Sequence, residues 1–404
     1  MRKQKEEIWV KIIRILLAIL FIFSGLSKAI DPVASAIKMD EYFISFGLGF
    51  LHPLSMFFGV CLNIVEFTLG FMLLFRVKVK FTSTIYLLFM GFFLLLTLRL
   101  AVAEHLETNY GYDFGVVKDC GCFGQAIELS NLQTFLKNVV IIIPTLIIFY
   151  KRKRIPDIRL TELGQWSLTT IGVLIVCIVQ VVAYRHLPLI DFGDWKVGNR
   201  IDTLFVDQPA EKELLYIYQN KADSSMIYLT TDELMDIYDK NLNFDAEYCF
   251  VERKDSTIKE IKRAPLQGFA MVDSTGGEHS FELLNENNQN PLYILFMHNL
   301  DEVNIKGVQQ TALKDLIDTC HVRGYDFVGL TNSSIEEISE FSKQHALNFP
   351  IYTNTIDPIK GPFMVRDAIH SNPGLILLRG GVVIDKWAWR DFPKAMKEYK
   401  ENLD

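Results

Sequence analysis

Two cysteines separated by a single residue are the side chains of this sequence best suited to chemistry. Cys120 and Cys122 flank Gly121 in the run Asp119-Cys120-Gly121-Cys122-Phe123-Gly124. A disulfide between cysteines this close has a tight geometry, and a strained, exposed disulfide is easily reduced and therefore oxidising. The two glycines supply the backbone freedom that such a turn requires. The pair is therefore a candidate redox dithiol.

Other interpretations of the cysteine pair stay open. The pair could be a static staple within a loop, two free thiols, or half of a metal site with His105, which is nearby in sequence. A zinc site usually needs four ligands, and only His105 and scattered carboxylates are available here, so we predict no metal. Disulfide exchange proceeds through a thiolate, and the acidic neighbour Asp119 does not favour one.

Five apolar runs of about 20 residues precede or flank this pair, all in the first half of the chain. The fifth run contains no charged residue, and a globular helix is not apolar on every face unless lipid surrounds it. Four further runs, and Arg14 within the first, argue against a cleaved signal peptide. We predict five transmembrane helices, at about residues 9–27, 54–75, 81–103, 132–150 and 164–183.

Basic residues in the connections predict how these helices are oriented. Thirteen Lys and Arg lie before or early in the first run and at residues 76–80 and 151–159, whereas the alternating connections hold only Lys28, Lys38 and Lys118. By the positive-inside rule the amino terminus is cytoplasmic. Residues 28–53, 104–131 and all residues after about 184 then lie on the outer side. Assuming a bacterium, we predict an inner-membrane protein whose cysteine pair and carboxy-terminal domain face the periplasm, where thiols oxidise.

The membrane half resembles a known group of proteins. Residues 14–28, followed by Asp31-Pro32, resemble the first span of DoxX-type membrane proteins, and residues 66–70 resemble their second. The D-C-G-C-F-G motif is similar to that of the methylamine-utilisation protein MauE, a DoxX relative. The resemblance covers about residues 10–150 and implies a four-helix membrane bundle, to which this chain adds a fifth span. It also implies a role in disulfide formation or in the maturation of periplasmic redox proteins. For other DoxX members it implies quinone-linked oxidation of sulfur compounds.

One predicted span carries an acidic residue. Glu66 should face the bundle interior as a protonated or hydrogen-bonded carboxyl group, because an unpaired charge in lipid is costly. Gly59, Asn63, Glu66 and Gly70 share one helical face, on which small and polar residues favour close helix contact. We considered two roles for Glu66: a proton acceptor coupled to the cysteines or to a quinone, and a packing contact between helices.

Arg99 lies nearer the outer end of the third span. At 1.5 Å of helix rise per residue it should differ from Glu66 by roughly 12 Å in depth, so we expect no direct pair. We expect Arg99 to meet Glu104, His105 or a lipid headgroup, or to line the approach to the cysteine loop. Cys61 and Cys177, within spans, are predicted to be inert apolar fillers.

The second half differs in charge. Residues 186–404 hold 22 Lys and Arg against 35 Asp and Glu, whereas residues 1–185 hold 19 against 13. An acidic half without a basic stripe argues against nucleic-acid binding. Residues 200–264 contain short strand-like runs at 214–219, 226–229 and 248–252 and a helical stretch at 231–238, which we interpret as a small α+β extension.

From about residue 265, strands alternate with helices. We predict a hairpin of residues 268–272 and 280–283, a buried strand at 291–297, a helix at 305–322, a strand at 327–330 and a helix at 334–345. Strands at 375–378 and 382–385 and a terminal helix follow. The order resembles a peroxiredoxin-like or thiol-reductase-like thioredoxin fold, as do Phe349-Pro350-Ile351-Tyr352 and Asn372-Pro373-Gly374-Leu375. The resemblance implies that Pro373 is cis.

The outer domain departs from the redox-active members of that fold. They place a cysteine after the first buried strand, but residues 297–304 contain none. Cys249 and Cys320 lie elsewhere and are predicted to be structural or stray thiols. We therefore expect a domain that cannot perform dithiol exchange alone and that binds extended peptides at the edge formed by Asn372 and Pro373.

The sequence thus predicts a membrane helical bundle with a carboxy-terminal α/β thioredoxin-like domain. We divide it into a four-span domain (1–158), a fifth helix (159–185), a linker with an α+β extension (186–264) and the thioredoxin-like domain (265–404). The leading hypothesis is thiol-disulfide exchange or periplasmic protein maturation at the cysteine pair, with a periplasmic protein as client or redox partner. The alternatives are a non-catalytic membrane anchor or assembly subunit with a structural disulfide, and a quinone-linked sulfur oxidoreductase subunit. A quinone is the one cofactor that we consider.

Overall fold

The computed structural model describes residues 6–112, 117, 120–125, 129–205, 211–240, 244–259, 264, 266, 268–354 and 361–393. Two predictions therefore fall outside the described residues: the role of Asp119, and the terminal helix, for which residues 394–404 would be needed.

Long apolar helices dominate the first half. Five of them are long and apolar enough to cross a membrane, which confirms the five predicted spans. Their large side chains, such as Leu16, Leu95 and Ile178, remain exposed on the outside of the bundle, as lipid-facing residues do. The described helices of this half are α1 (Ile8–Ala29), α2 (Pro32–Ser45), α3 (Ser55–Phe75), α4 (Val79–Tyr110), α5 (Asn131–Lys151) and α6 (Glu162–Arg185). All but α2 are candidate spans.

Helix α2 was not predicted from the sequence. The Asp31 side chain caps it by accepting a hydrogen bond of 3.0 Å from the Ala34 N–H, and Pro32 occupies the first turn, where a missing N–H costs nothing. A 3₁₀ turn, Gly49–Leu54, follows α2. In the second connection on this side, residues Cys122–Gln125 form a short strand, β1. We call the end of the bundle that carries α2 and β1 the dithiol end.

Helices α1 and α3 pack with almost no space between them. A Cβ atom at Gly70 would lie 2.7 Å from the backbone nitrogen of Ile22 and 2.8 Å from the carbonyl oxygen of Ala18. Only glycine permits this approach. Gly59, Asn63, Glu66 and Gly70 are all buried, so the predicted shared face of the helix is confirmed as an inward face.

The second half begins with a small antiparallel sheet of order β3-β2-β4. Its predicted strands and helix are confirmed, with slightly different ends. The elements are β2 (Glu211–Asn220), β3 (Met226–Leu229), α7 (Thr231–Lys240), α8 (Phe244–Glu247) and β4 (Tyr248–Lys259).

A five-stranded mixed sheet with helices forms the rest. The strand order is β7-β6-β5-β8-β9. Strands β5, β6 and β7 are parallel, and β8 is antiparallel to both β5 and β9. The elements are α9 (Ser280–Leu284), β5 (Leu292–Met297), α10 (Ile305–Val308), α11 (Thr311–Arg323), β6 (Asp326–Thr331), α12 (Ile335–His345), β7 (Ile351–Thr353), α13 (Gly361–Ala368), β8 (Gly374–Arg379) and β9 (Val382–Ala388). A 3₁₀ turn, Trp389–Asp391, follows.

Hydrophobic cores cover both faces of this sheet. Every residue of β5 is buried, as expected for a strand covered on both faces. Helices α11 and α12 supply one core. Helix α13 supplies the other, together with Trp195 and Ile201 from the segment after α6. The Asn372–Pro373 peptide bond is cis, as predicted.

Three local predictions were wrong. Residues 268–272, predicted as a strand, contain only isolated bridges at Val272. Residues 280–283, predicted as a strand, belong to helix α9, because the period of so short an apolar run cannot distinguish the two structures. The predicted helix 305–322 is two helices, since Gln310 has extended backbone angles and begins a new one.

Candidate dithiol site

The two sulfur atoms of the cysteine pair lie side by side at the dithiol end. Their separation is 3.0 Å, and both residues are free cysteines. Gly121 has φ +61°, and a Cβ atom there would lie 3.0 Å from Cγ of Lys38, so the turn requires glycine. The Tyr42 hydroxyl donates a hydrogen bond of 3.0 Å to the Cys120 carbonyl oxygen, which fixes the turn against α2.

The two thiols differ strongly in acidity. The hydrogen bond with Cys120 lowers the pKa of Cys122 to about 6, against the effect of burial, and the cations Lys137 and Lys28 lower it further. The same hydrogen bond, together with burial, raises the pKa of Cys120 well above its usual value. At neutral pH, Cys122 is therefore a thiolate that accepts a hydrogen bond from the Cys120 thiol.

An ion pair lies beneath the thiols. Lys28, at the end of α1, bonds the Glu66 carboxylate of α3, and both side chains are buried. Glu66, Lys28, Lys137 and Cys122 line one small cavity of about 30 Å³, which has room for a water molecule. Glu66 and Cys122 thus line the same cavity, as the first of the two roles considered for Glu66 would require. The partner of Glu66 is a lysine that the sequence interpretation had placed in the outer connection.

Arg99 and His105 lie away from this cluster. The Arg99 guanidinium donates hydrogen bonds to the Ser45 hydroxyl and carbonyl oxygens, at 3.0 and 3.2 Å, and stacks on Phe46. Ser45 and Phe46 lie at the end of the unpredicted helix α2, and contact of Arg99 with Glu104, His105 or a headgroup, or a place along the approach to the cysteine loop, stays a prediction. The exposed His105 is 3.1 Å from the Asn109 amide nitrogen.

A larger cavity opens over the cysteines, between the bundle and the sheet domain. Its volume is about 310 Å³, and both Cys120 and Cys122 line it. Its opposite wall includes Trp195, Met364 and Asp367 from the second half of the chain. The indole N–H of Trp195 is buried and has no partner among the residues that the structure describes.

Asp367 is one of the residues that line this cavity. The residue is exposed, but its carboxyl group lies among protein atoms. Burial raises the pKa of its carboxyl group to about 6, with contributions of both signs from His370, Glu41, Lys38 and Arg366. The carboxyl group can therefore give or take a proton close to neutral pH.

Ion pairs join the sheet domain to the dithiol end. They are His370 with Asp31 at 2.7 Å, Arg366 with Asp40 at 3.9 Å, and His186 with Asp391 at 2.8 Å. Burial opposes the charge on His370, but Asp31 and Asp367 outweigh burial and raise its pKa. Burial likewise opposes the Asp31 charge, but His370 outweighs it and lowers the pKa of Asp31.

The predicted peptide-binding groups already have partners within the domain. The Asn372 carbonyl oxygen accepts from the Asn304 N–H at 3.2 Å, and its side-chain oxygen accepts from the His298 N–H at 3.1 Å. The Pro373 carbonyl oxygen accepts from the Ser371 hydroxyl. The adjacent residue His370 contacts the dithiol end of the same chain, so this loop faces the membrane domain.

The remaining cysteines are separate from the pair. Cys61 and Cys177 lie in α3 and α6, Cys249 is exposed in β4, and Cys320 is buried in α11. Burial raises the pKa of Cys320 to about 12, which makes its thiol inert. Over the described ranges, no three His, Cys, Asp or Glu side chains are grouped to hold a metal ion.

A quinone, the one cofactor considered from the sequence, would need an apolar cleft, and a cleft of about 210 Å³ lies among α2, α3 and α6. Pro32, Val60 and Val181 offer apolar walls. Gln180 also lines the cleft, and its amide nitrogen is buried without a partner among the described residues. This set fits an apolar ring that carries a carbonyl acceptor, which would supply an electron acceptor from the membrane.

Comparison with known proteins bears on the membrane half. Residues 6–151 match the family described as "Methylamine utilisation protein MauE". These residues are a MauE-family membrane domain. A curated relative, "Protein TlpB" of Flavobacterium psychrophilum, is 29% identical over 162 residues, which are 39% of this chain and 41% of the relative. The chain thus spans about two fifths of the relative that it matches. No solved structure matches the chain significantly.

The sequence interpretation missed the residues that surround the thiols of the MauE-family domain. Lys137 was the most visible of them, because a lysine inside a predicted apolar span is a signal of a buried functional site. Lys28 and Tyr42 had no such signal, and Asp367 reaches the site only through the packing of a distant domain.

Proposed function

We propose that this protein is a membrane thiol-disulfide exchange factor. Cys122 is the attacking thiolate, and Cys120 is the thiol that resolves the mixed disulfide. The protein lies in a bacterial inner membrane with its dithiol end towards the periplasm, where it takes part in the maturation of proteins that carry thiols or disulfides.

The unequal acidity of two adjacent thiols carries this proposal. A pKa of about 6 for Cys122 leaves most of it ionised at neutral pH, whereas a free cysteine has a pKa of about 8.5. Cys120, 3.0 Å away, keeps its proton until it is needed. A structural disulfide does not require its two cysteines to differ in acidity, but disulfide exchange requires one nucleophilic thiolate and one resolving thiol.

Charge distribution supports the orientation. The connections at the end opposite the cysteines hold most of the basic residues, including Lys151, Arg152, Lys153 and Arg154, which is typical of a cytoplasmic face. The dithiol end then faces the oxidising compartment.

We infer further that the sheet domain is thioredoxin-like and has no redox chemistry of its own. The strand order β7-β6-β5-β8-β9 and the cis peptide before Pro373 support this inference. The loop after β5 contains no cysteine, and Cys320 is inert. The domain then serves the dithiol by holding a partner near it, and His370 of the loop before Pro373 already contacts the MauE-family domain.

Trapping of thiols in growing cells tests the function. Acid quenching followed by an alkylating mass label should show that the Cys120–Cys122 pair shifts between reduced and oxidised forms with the oxidant in the medium. The variant Cys120→Ser should accumulate mixed disulfides at Cys122, because the resolving thiol is gone.

Two matched variants complete this experiment. Cys122→Ser should accumulate none of these adducts, and Cys61→Ser, within α3, should behave like the unmodified protein. A pair that stays oxidised under all conditions, with both site variants only lowering protein abundance, would instead identify a non-catalytic anchor with a structural disulfide.

A further inference from the structure

The cavity over the dithiol is built by both halves of the chain. Cys120, Cys122 and Lys38 come from the bundle side, and Trp195, Met364 and Asp367 come from the other. Cys120 is only 5% exposed. Cys122 is of intermediate exposure, and a molecule that reaches it through this cavity must fit between the domains or wait until they separate.

The size of the cavity limits what fits. Small-molecule pockets typically enclose about 300–1,000 Å³, and this cavity of about 310 Å³ lies at the lower end. A low-mass thiol or disulfide fits within it. A disulfide on the surface of a folded substrate protein does not fit, because Trp195 and Met364, in the cavity wall formed by the second half of this chain, occupy the space that the rest of the substrate would need.

Ion pairs are among the contacts that hold the sheet domain over the dithiol end. The His370–Asp31 pair joins the N-cap residue of α2 to the sheet domain at 2.7 Å, and both side chains are largely buried. Asp40, which faces Arg366, also lies 2.6 Å from His52. Polar interfaces of this kind separate more readily than apolar ones.

We propose that the docked sheet domain is a gate that admits low-mass thiols and disulfides to Cys122 and admits protein disulfides only after it lifts from the dithiol end. This inference rests on the proposed exchange function and names the substrate class and the control of that same site.

The docked form performs a disulfide exchange in which atoms and electrons balance. The Cys122 thiolate attacks one sulfur of a small disulfide, forms a mixed disulfide and releases one thiolate. Cys120 then loses its proton, attacks the Cys122 sulfur and releases the second thiolate. The small disulfide gains two electrons and becomes two thiols, and the dithiol becomes the Cys120–Cys122 disulfide. Cys120 supplies one of the two protons that the product thiols take up, solvent supplies the other because Cys122 starts as a thiolate, and Asp367 in the cavity wall can relay them.

Protonation should control the gate. Docking raises the pKa of His370. The stabilisation that His370 gives to the docked form is therefore complete below its ordinary pKa of 6.5 and is lost as pH rises through its pKa in the docked form. Docking lowers the pKa of Asp31. The stabilisation that Asp31 gives to the docked form is therefore complete above its ordinary pKa of 3.8 and is lost as pH falls through its lower pKa in the docked form. The groups that face His370 besides Asp31 are Asp367, whose raised pKa also favours docking at low pH, and Lys386, which opposes the His370 charge.

Two disulfide probes on the full-length protein in detergent micelles test the gate. Hydroxyethyl disulfide should oxidise the pair readily, and insulin should do so at least tenfold more slowly per disulfide. The double variant Asp31→Asn with His370→Gln should raise the insulin rate at least tenfold and leave the hydroxyethyl disulfide rate within twofold. Asn at position 31 keeps the cap of α2, and His279→Gln, in an exposed pair with Asp273, is the control.

A second measurement needs no variant. Iodoacetamide should label Cys122 of the unmodified protein at pH 6, and a maleimide carried on a large polyethylene glycol should not. Equal rates for insulin and hydroxyethyl disulfide, or labelling by the large maleimide at pH 6, would overturn the gate while leaving the exchange function intact. If hydroxyethyl disulfide fails to oxidise the pair in both the unmodified protein and the double variant, the exchange function itself is wrong and the gate falls with it.

Discussion

Replacement of Cys120 by alanine should shift the pH at which Cys122 becomes reactive. The hydrogen bond from Cys120 is the largest cause of the lowered pKa of Cys122, about 6 against an ordinary 9.0. A shift of this size corresponds to roughly 4 kcal/mol of thiolate stabilisation. Removing the donor should move the pKa most of the way back, because Lys28 and Lys137 alone must then offset burial.

The effect on rate is smaller than the effect on ionisation. A return to 9.0 would reduce the thiolate at pH 7 from about nine tenths to about one hundredth of the protein. A more basic thiolate is also more nucleophilic, with a Brønsted coefficient of about 0.4–0.5. That gain offsets all but a factor of about 3–6, so the rate at pH 7 alone is a poor test and the midpoint of the pH profile is a good one.

The assay is a single attack step. The protein in micelles is mixed with hydroxyethyl disulfide between pH 4.5 and 10 and quenched with acid, and the first adduct at Cys122 is counted by mass spectrometry. The midpoint should be about 6 in the unmodified protein and should approach 9 in Cys120→Ala, with Cys120→Ser, which keeps an O–H donor, in between. A midpoint that stays near 6 in Cys120→Ala would refute the reasoning.

Three further predictions concern the surroundings of the dithiol. Gly121→Ala forces alanine into a left-handed conformation and should destabilise the protein by about 1–2 kcal/mol in thermal unfolding, whereas Gly91→Ala, where a Cβ meets nothing within 4 Å, should not. Glu66→Gln removes the carboxylate that is hydrogen-bonded to the buried Lys28 and should cost about 3–5 kcal/mol of unfolding free energy. The double variant Glu66→Leu with Lys28→Met should recover much of that loss, and equal losses in the single and double variants would contradict this account of the pair. The rate at which the large maleimide labels Cys122, divided by the rate at which iodoacetamide labels it, should increase as pH rises from 6 to 9. The variant His370→Gln should abolish this increase.

The membrane architecture was predictable because lipid imposes one rule on every spanning helix. An apolar run of about 20 residues has few alternatives, and the ends of four runs were found within two residues of their helices, whereas α4 continues seven residues beyond the predicted third span. Helix α2 escaped this reasoning because it is amphipathic and lies within a connection. The partners of Arg99 were missed for the same reason, since Ser45 and Phe46 lie at the end of α2.

The chemistry of the dithiol was predictable only in part. The cysteine motif located the site, but the acidity of each thiol depends on contacts between residues far apart in sequence. Lys28 and Glu66 are 38 residues apart, and Asp367 belongs to another domain. Hydropathy places the end of a span only to within one helical turn, so the sequence interpretation placed Lys28 in the outer connection. Its ion pair with Glu66 within the bundle was therefore not predicted.

The ion pair between Lys28 and Glu66 also constrains how the chain enters the bilayer. A lone carboxylate within a span such as Glu66 of α3 is costly in lipid, whereas the two helices together carry a neutralised pair. We therefore expect α1 to remain in the insertion machinery until α3 has been synthesised, so that both enter as a hairpin. Nascent chains halted before Glu66 should then be extracted from membranes by alkali more readily than chains halted after it.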